Sequence, residues 1–277
     1  MKKRYNPDDF RTVHLASAYD ELPLWSAPFG LKLLDAIDYS SSVVALDIGC
    51  GTGFPLLELA QRFGQASLFF GIDPWKEGLD QLQKKILCYE IENVVLLNAV
   101  AEKLPFEDEM FDLITSNNGL NNVESFEDSL IECHRTLKKG GHLVFSANLP
   151  ETFSQFYVTL IDTLTEEGIT SVLPSIRKHI ERKRKSINET CMALEKFRFK
   201  ITTRSTESFS IRYFSGTSFL DHFLIRLYFL NTWLSLIPQN NQAQIMNIVE
   251  DKLNNLARRN HGLSMEVPFA IYIAEKY

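Results

Sequence analysis

From residue 43 onward the chain alternates between two hydrophobic patterns. Short β-branched runs ending in Gly, Asp or Asn are followed by stretches with apolar residues every three or four positions. SVVALDIG predicts a buried strand, and residues 54–63 a helix. SLFFGID predicts a second strand and Trp75–Cys88 a second helix. NVVLLN and FDLITSN read as a third and a fourth strand. Phe126–Leu137 reads as a helix, with the Gly140–Gly141 pair as its C-terminal cap, and HLVFSAN as a fifth strand. Strand and helix alternating at this spacing over 43–148 predict parallel βαβ units with right-handed crossovers. Such sheets bind ligands at the carboxyl ends of their strands, where the strand order switches.

The flanks read differently. Residues 1–22 are polar and irregular. A helix is expected from Pro23 to Ile37, with Leu24, Trp25, Leu31, Leu34 and Ile37 on one side. Beyond Pro150, helices are expected over Thr152–Glu167, 174–197, 218–237 and 240–259, with a strand over 199–214. LSMEVPFAIYIAEK predicts a last strand whose Pro268 favours a sheet edge or a bulge. The organisation is thus a cap segment and helix (1–38), an α/β core (39–150), a mainly helical region with one strand (151–262) and a terminal strand (263–277). The expected fold class is α/β: a doubly wound, mostly parallel sheet with a helical C-terminal insertion or lid and an antiparallel last strand. Residues 218–237 are long enough to cross a bilayer, but they contain Asp221, His222, Arg226 and Asn231. A charge at a membrane-helix centre costs about 2.5–3.5 kcal/mol, so a buried helix or a lid is the reading.

Composition narrows the function classes. Hydrophobic residues make up 45% and charged residues 23%, which suits a packed globular chain. A net charge of −6 supplies no global attraction to nucleic acid. Cys50, Cys88, Cys133 and Cys191 form no C-x-x-C pair, and the six histidines show no metal-ligand spacing, so no disulfide framework and no metal site are expected. The start, MKKRYNPDDF, lacks the apolar run of a secretory signal, and a cytoplasmic location is expected.

The chemistry concentrates in Asp47-Ile48-Gly49-Cys50-Gly51-Thr52-Gly53, between a predicted strand and a predicted helix. Glycines there let the backbone turn tightly and touch a ligand that a Cβ would push away. Phe54 stands where a dinucleotide fold wants its third glycine, and the Lys-Ser/Thr pair of a phosphate loop is absent. The ligand is therefore not expected to be a pyrophosphate. Asp47 would repel a phosphate and could orient an ammonium group. Asp73 ends the second strand, 20 residues past Gly53. An acid there accepts hydrogen bonds from ribose hydroxyls, although Asp at such a place also serves as a helix cap.

With these motifs in place the chain resembles the class I S-adenosylmethionine (SAM)-dependent methyltransferases over residues 14–148. VVALDIGCGTGF is similar to that family's first motif and GIDPW to its ribose-binding motif. AEKLPFEDEMFDLITSNNGLNNV resembles its adenine-binding turn and fourth strand, and ECHRTLKKGGHLVFS the helix and strand that close the site. Within the family, GLNNV is similar to a segment of quinone-biosynthesis C-methyltransferases. The resemblance implies SAM as cofactor. Gly49, Cys50, Gly51 and Gly53, with Asp47, would hold its methionine end, and Asp73 the ribose. Pro74 and Trp75 would lie against the adenine, and Ala101 and Glu102 would flank its edge. Val100 stands where the family often has an acid, leaving adenine recognition to backbone groups and apolar packing. Asn117 would sit just past the fourth strand, near the methionine and the open pocket, and Tyr19 would fold over the sulfonium. Trp25, Asn118 and Asn121 are the candidate acceptor-pocket residues.

The expected reaction is methyl transfer to a small, largely apolar acceptor, with no obligatory catalytic base named. The aromatics Phe153, Phe156, Tyr157, Phe214, Phe219, Phe223, Tyr228, Phe229 and Trp233 suggest an apolar pocket, a packed core or an interface with a second copy of the chain. Two alternatives stay open. One is a nucleic-acid or protein methyltransferase using the basic run 177–185, although a solvated helix face with a Glu181–Lys185 pair explains that run more simply. The other is a non-catalytic SAM-binding regulator.

Overall fold

A computed structural model describes residues 23–40 and 42–277, so Tyr19 and the rest of segment 1–22 lie outside the described residues. Helix α1, Pro23–Asp35, opens the described chain. Its inner stripe is Phe29, Leu33 and Leu34, with Ile37 buried just past its end. Leu31, expected on that face, is 54% exposed. At 3.6 residues per turn it points roughly 200° away from Phe29.

Seven strands form one sheet: β1 Val44–Ile48, β2 Leu68–Ile72, β3 Val94–Leu97, β4 Phe111–Asn117, β5 Leu137–Asn148, β6 Phe199–Tyr213 and β7 Leu263–Lys276. Their order is β3-β2-β1-β4-β5-β7-β6. β1 pairs in parallel with both β2 and β4, β2 with β3, and β4 with β5, whereas β7 runs antiparallel to β5. The doubly wound, mostly parallel sheet with an antiparallel last strand is the expected one. Helices α2 Leu56–Phe63, α3 Lys76–Cys88 and α4 Phe126–Thr136 make the crossovers. α4 starts where the Ser125 side chain accepts the Asp128 N–H.

Two expectations about glycine and proline need correction. Gly140–Gly141 does not cap α4, whose C-cap is Leu137 in extended backbone. The pair lies within β5, where the register against β4 jumps from Phe111↔Leu137 to Leu113↔His142. That bulge needs glycine: Gly140 has φ 77°, and a Cβ on Gly141 would stand 2.9 Å from the Lys138 carbonyl oxygen. Pro268 is not on an edge strand either, because β7 lies between β5 and β6. It is tolerated because the β5 ladder ends at Asn148↔Phe269, one residue before the proline's missing N–H would be needed.

The chain divides into two compact units. The α/β unit comprises the described residues to 148 together with 185–207 and 269–277. Its core includes Leu46, Phe69, Phe111, Ile114 and Leu143, with the Phe145 and Tyr272 rings stacked at 4.9 Å. The helical unit comprises 149–184 and 208–268. There α5 Ser154–Glu166 and α11 Gln242–Arg259 bury Phe156, Leu160, Ile245, Val249 and Leu253.

The expected helix 174–197 is two helices, α6 Leu173–Lys183 and α7 Ile187–Lys196. Ser186 and Glu189 form a reciprocal capping box that starts α7, a signal legible in S-x-x-E. Glu181 and Lys185 therefore do not share a helix face: Lys185 lies beyond α6, with its ammonium over the Phe126 ring at 5.6 Å. The expected helix 218–237 is three short ones, α8 Gly216–Asp221, α9 Phe223–Tyr228 and α10 Leu230–Ser235, broken where His222 is extended (ψ 132°) and at Phe229. No helix of the described residues is long and apolar enough to cross a membrane. Phe153, Phe156, Tyr157, Phe219 and Trp233 are buried, and the Phe156 and Trp233 rings stack at 3.8 Å. Most of the aromatic set is thus the core of the helical unit, while Phe214 is 90% exposed.

Candidate functional site

β1 is flanked by β2 on one side and β4 on the other, so the strand order switches there. The loops leaving these strands converge at their carboxyl ends. Asp47, next to last in β1, is 1% exposed. Its Oδ1 accepts the Thr115 hydroxyl at 2.7 Å, whereas Oδ2 is buried with no hydrogen-bond partner among the described residues. Burial pushes the carboxyl up to about 7, with Thr115 opposing the shift and Asp73 adding to it.

The loop after β1 is held from below. The N–H groups of Gly49 and Cys50 both donate to the Ile72 carbonyl, at 2.9 and 3.1 Å, and Lys85 Nζ donates to the Thr52 carbonyl at 2.8 Å. Gly49, Gly51 and Gly53 all have positive φ, but they do three different jobs. A Cβ on Gly49 would stand 2.9 Å from Gly119 Cα, so this glycine lets the β4 loop cross the glycine loop. A Cβ on Gly53 would stand 2.5 Å from Leu82 Cδ1, so this one lets α3 pack close. A Cβ on Gly51 would meet no atom of the described residues within 4 Å. Gly51 alone faces open space. Cys50 points the other way: it is buried, with its Sγ against Gly71, and burial raises its thiol well above the ordinary range. Only its backbone is available to a ligand.

Asp73 lies just past β2. Its Oδ2 accepts the Gly51 N–H at 2.9 Å and its Oδ1 the Trp75 N–H at 2.8 Å. It therefore struts the glycine loop and also forms the turn into α3, which has no side-chain cap of its own. Burial raises its carboxyl, and the two N–H bonds oppose that. Each carboxylate oxygen keeps a second lone pair for another donor. Pro74 is exposed. The half-buried Trp75 ring lies over Gly78, where a Cβ would come within 2.5 Å of it. Ala101 is buried, and Val100 is 44% exposed. Glu102 is spent locally, since its Oε1 accepts the N–H groups of Glu124 (2.6 Å) and Ser125 (3.1 Å) ahead of α4.

The asparagines at the end of β4 differ from one another. Asn117 is the last residue of the strand rather than one past it. It is buried; its Nδ2 donates to the Ser26 carbonyl at 3.1 Å and its Oδ1 accepts the Ser146 hydroxyl at 2.9 Å. It ties α1 to the sheet. Asn117→Ala is expected to destabilise the fold by about 1–3 kcal/mol through the buried partners left behind, and to speed hydrogen exchange at the start of α1. A variant that melts like the parent contradicts this tie. Asn118 adopts φ 60°, and its Oδ1 accepts the Asn148 N–H at 3.3 Å. Asn121 Nδ2 donates to both Asn118 Oδ1 and Asn148 Oδ1. Asn148 completes this amide cluster, with no local signal in its sequence neighbourhood. The Trp25 ring sits edge-on to Phe29 at 5.4 Å, and Phe29 to Phe269 at 4.7 Å.

The raised carboxyl of Asp47 carries a stability prediction. In the folded chain it holds its proton to about pH 7, against an ordinary value of 3.8. Between those values the folded state binds more protons than the unfolded one, so this group's contribution falls as pH rises. Relative to Asp47→Asn, the parent is expected to lose stability from about pH 4 to about pH 7 and then to hold level. Thermal unfolding of both proteins across that window measures the difference. A constant gap at every pH would mean that Asp47 is ionised throughout.

Residues 46–145, about a third of the chain, match the family model described as a methyltransferase domain. The demethylmenaquinone methyltransferase of Bacillus velezensis is 32% identical over 123 residues, covering 44% of this chain and 53% of that protein. The chain thus spans about half the length of the curated relatives it matches. Among solved structures, the YcgJ protein of Bacillus subtilis superposes with a TM-score of 0.61 at 19% identity, over 90% of this chain and 98% of that one. A SAM-dependent methyltransferase from Aquifex aeolicus superposes with 0.56 at 14% identity, over 96% and 100%. At these identities the two structures speak for the fold.

Proposed function

We propose that this chain, whose α/β unit is a class I methyltransferase core, transfers a methyl group from SAM to a small acceptor in the cytoplasm. The observation that carries this reading is that a Cβ on Gly51, whose N–H donates to the Asp73 carboxylate, would meet no described atom within 4 Å, in the loop that follows the buried Asp47. A cationic, phosphate-free ligand fits that setting. A buried carboxylate oxygen gains from an ammonium nearby, and a backbone without Cβ admits a ligand chain at van der Waals distance. A nicotinamide dinucleotide fits poorly, because Phe54 replaces the third glycine and the loop lies between two acids in sequence, Asp47 and Asp73.

The roles follow from placement. The backbone of Gly49, Cys50 and Gly51 would hold the methionine end, with Asp47 beneath it. Asp73 would accept the ribose hydroxyls on its remaining lone pairs, Trp75 and Pro74 would cover one face of the adenine, and Ala101 would line its edge. Asn117 and Gly53 act as positioning residues, since their side-chain or Cβ space is filled by protein. Tyr19, ahead of α1, is the aromatic proposed to cover the sulfonium. When bound, SAM supplies a methyl group already activated on sulfur. The chain's contribution is then alignment and exclusion of water, and no side chain is assigned as a base.

The curated relative's acceptor is a demethylmenaquinone, so a small ring compound is the first acceptor class to try. Incubation with methyl-labelled SAM and a small-molecule extract tests the reading. Label is expected in a low-mass product. Label appearing only in RNA or protein would move the function to a macromolecular acceptor, and SAM binding with no transfer to any fraction would favour a regulator.

A further inference from the structure

The basic run after residue 176 contains one cation that solvent does not explain. Arg184 is 4% exposed, at the point where α6 ends and the backbone turns extended (φ −143°, ψ 96°). Its Nη1 donates to the Thr152 carbonyl at 3.0 Å, and the guanidinium lies over the Tyr157 ring at 5.4 Å. No carboxylate stands against it among the described residues. The acids of segment 149–184, Glu151, Asp162, Glu166, Glu167 and Glu181, are all exposed. Glu166 is paired with Lys252 and Glu167 with Gln244. Arg135 shows how this chain treats a matched arginine: it is far less buried, yet both Glu132 and Asp108 bind it.

The surroundings add one more cation, Lys183, and a neutral imidazole, His179. Lys183 is half-buried and precedes Arg184 directly. His179, one turn earlier on α6, has its ring 6.4 Å from that of Tyr157. Burial, then Arg184, Lys183 and Arg182, push the imidazole down to about 4, so it is neutral near pH 7. Burial also lowers Lys183 and Arg184. A buried guanidinium with no counter-charge is costly, and its planar fork matches an oxyanion bidentately. Its partners, the Thr152 carbonyl and the Tyr157 side chain, are neutral, and neither requires a cation.

We propose that Arg184, flanked by Lys183 and His179, anchors an oxyanion site in the helical unit that takes the carboxylate or phosphate of a small molecule. The site does not depend on methyl transfer. Its test is the side-chain Nε–H NMR signal of Arg184 in the intact protein, identified by its loss in Arg184→Met, during titration with benzoate, phenyl phosphate and the neutral benzamide. A saturable shift with at least one anion and none with benzamide is expected, and the tighter anion assigns the group as carboxylate or phosphate. Read by calorimetric titration with the same anions, binding should weaken by about tenfold or more in Arg184→Met and less in Arg184→Lys, which keeps the charge but loses the fork. Lys183→Met should weaken it by about threefold. Should Arg184→Met fail to fold, the wild-type shift and the Arg184→Lys and Lys183→Met affinities decide alone. No saturable shift with either anion, or equal shifts with benzamide, would overturn the proposal and leave Arg184 as a tie between Thr152 and Tyr157.

Discussion

Gly51→Val is expected to abolish SAM binding in a chain that still folds. A Cβ at Gly51 meets no atom of the described residues within 4 Å, so the new side chain would project into the open space above the loop. Gly51 sits at φ 51°, where an L-residue costs about 1–2 kcal/mol. That is a fraction of the roughly 5–15 kcal/mol of a typical domain. The same change at the other two glycines should read out differently. At Gly53 a Cβ would press Leu82 and Leu57, and at Gly49 it would strike the backbone of Gly119. Gly53→Ala and Gly49→Ala should therefore lower the melting temperature first and affect SAM only through the damaged fold. Calorimetric titration beside thermal unfolding separates the two behaviours. A folded Gly51→Val protein with parental affinity would move the ligand away from this loop.

Asp73→Ala should weaken SAM by roughly tenfold to a hundredfold, since hydrogen bonds to charged groups contribute about 1.5–3 kcal/mol. It should also cost about 1 kcal/mol of stability, because the carboxylate holds the N–H groups of Gly51 and Trp75. Stability loss alone is what a helix-turn role would give, so affinity has to be read separately. The discriminating comparison uses the demethylated product and an analogue lacking both ribose hydroxyls. The parent should bind the analogue much more weakly than the product, while the variant should bind the two alike. An equal penalty in both proteins would assign Asp73 to the loop and the turn, and the ribose to other groups.

The features legible in the sequence were those whose physics is local. A β-branched run followed by glycines announces a strand and a backbone-lined turn, and an acid at the end of the next strand announces a second contact. Both lie where expected, at the switch point of a sheet in the expected class. What escaped depends on residues far apart in sequence. Asn117, expected near the methionine, also donates its amide to the Ser26 carbonyl 91 residues away. Glu102, expected at the adenine edge, also accepts two N–H groups from the chain ahead of α4. Asn148 joins Asn118 and Asn121 only because β4 and β5 pair in parallel. Hydrophobic periodicity likewise carried 218–237 as one helix, since it does not register the breaks at His222 and Phe229. The aromatic set in that region reads equally as pocket or core until packing partners are known, and Phe156 against Trp233 assigns most of it to core. The run around Arg184 reads as a solvated face because charge patterning carries no information on burial.

The most direct measurement of the central claim is a calorimetric titration of the intact chain with SAM, with its demethylated product and with NAD under one set of conditions. Saturable one-site binding of the first two, and none of NAD, is the predicted result. Saturable binding of NAD with no heat from SAM would contradict it, and with it the assignment of the Gly49–Gly53 loop to a methyl donor.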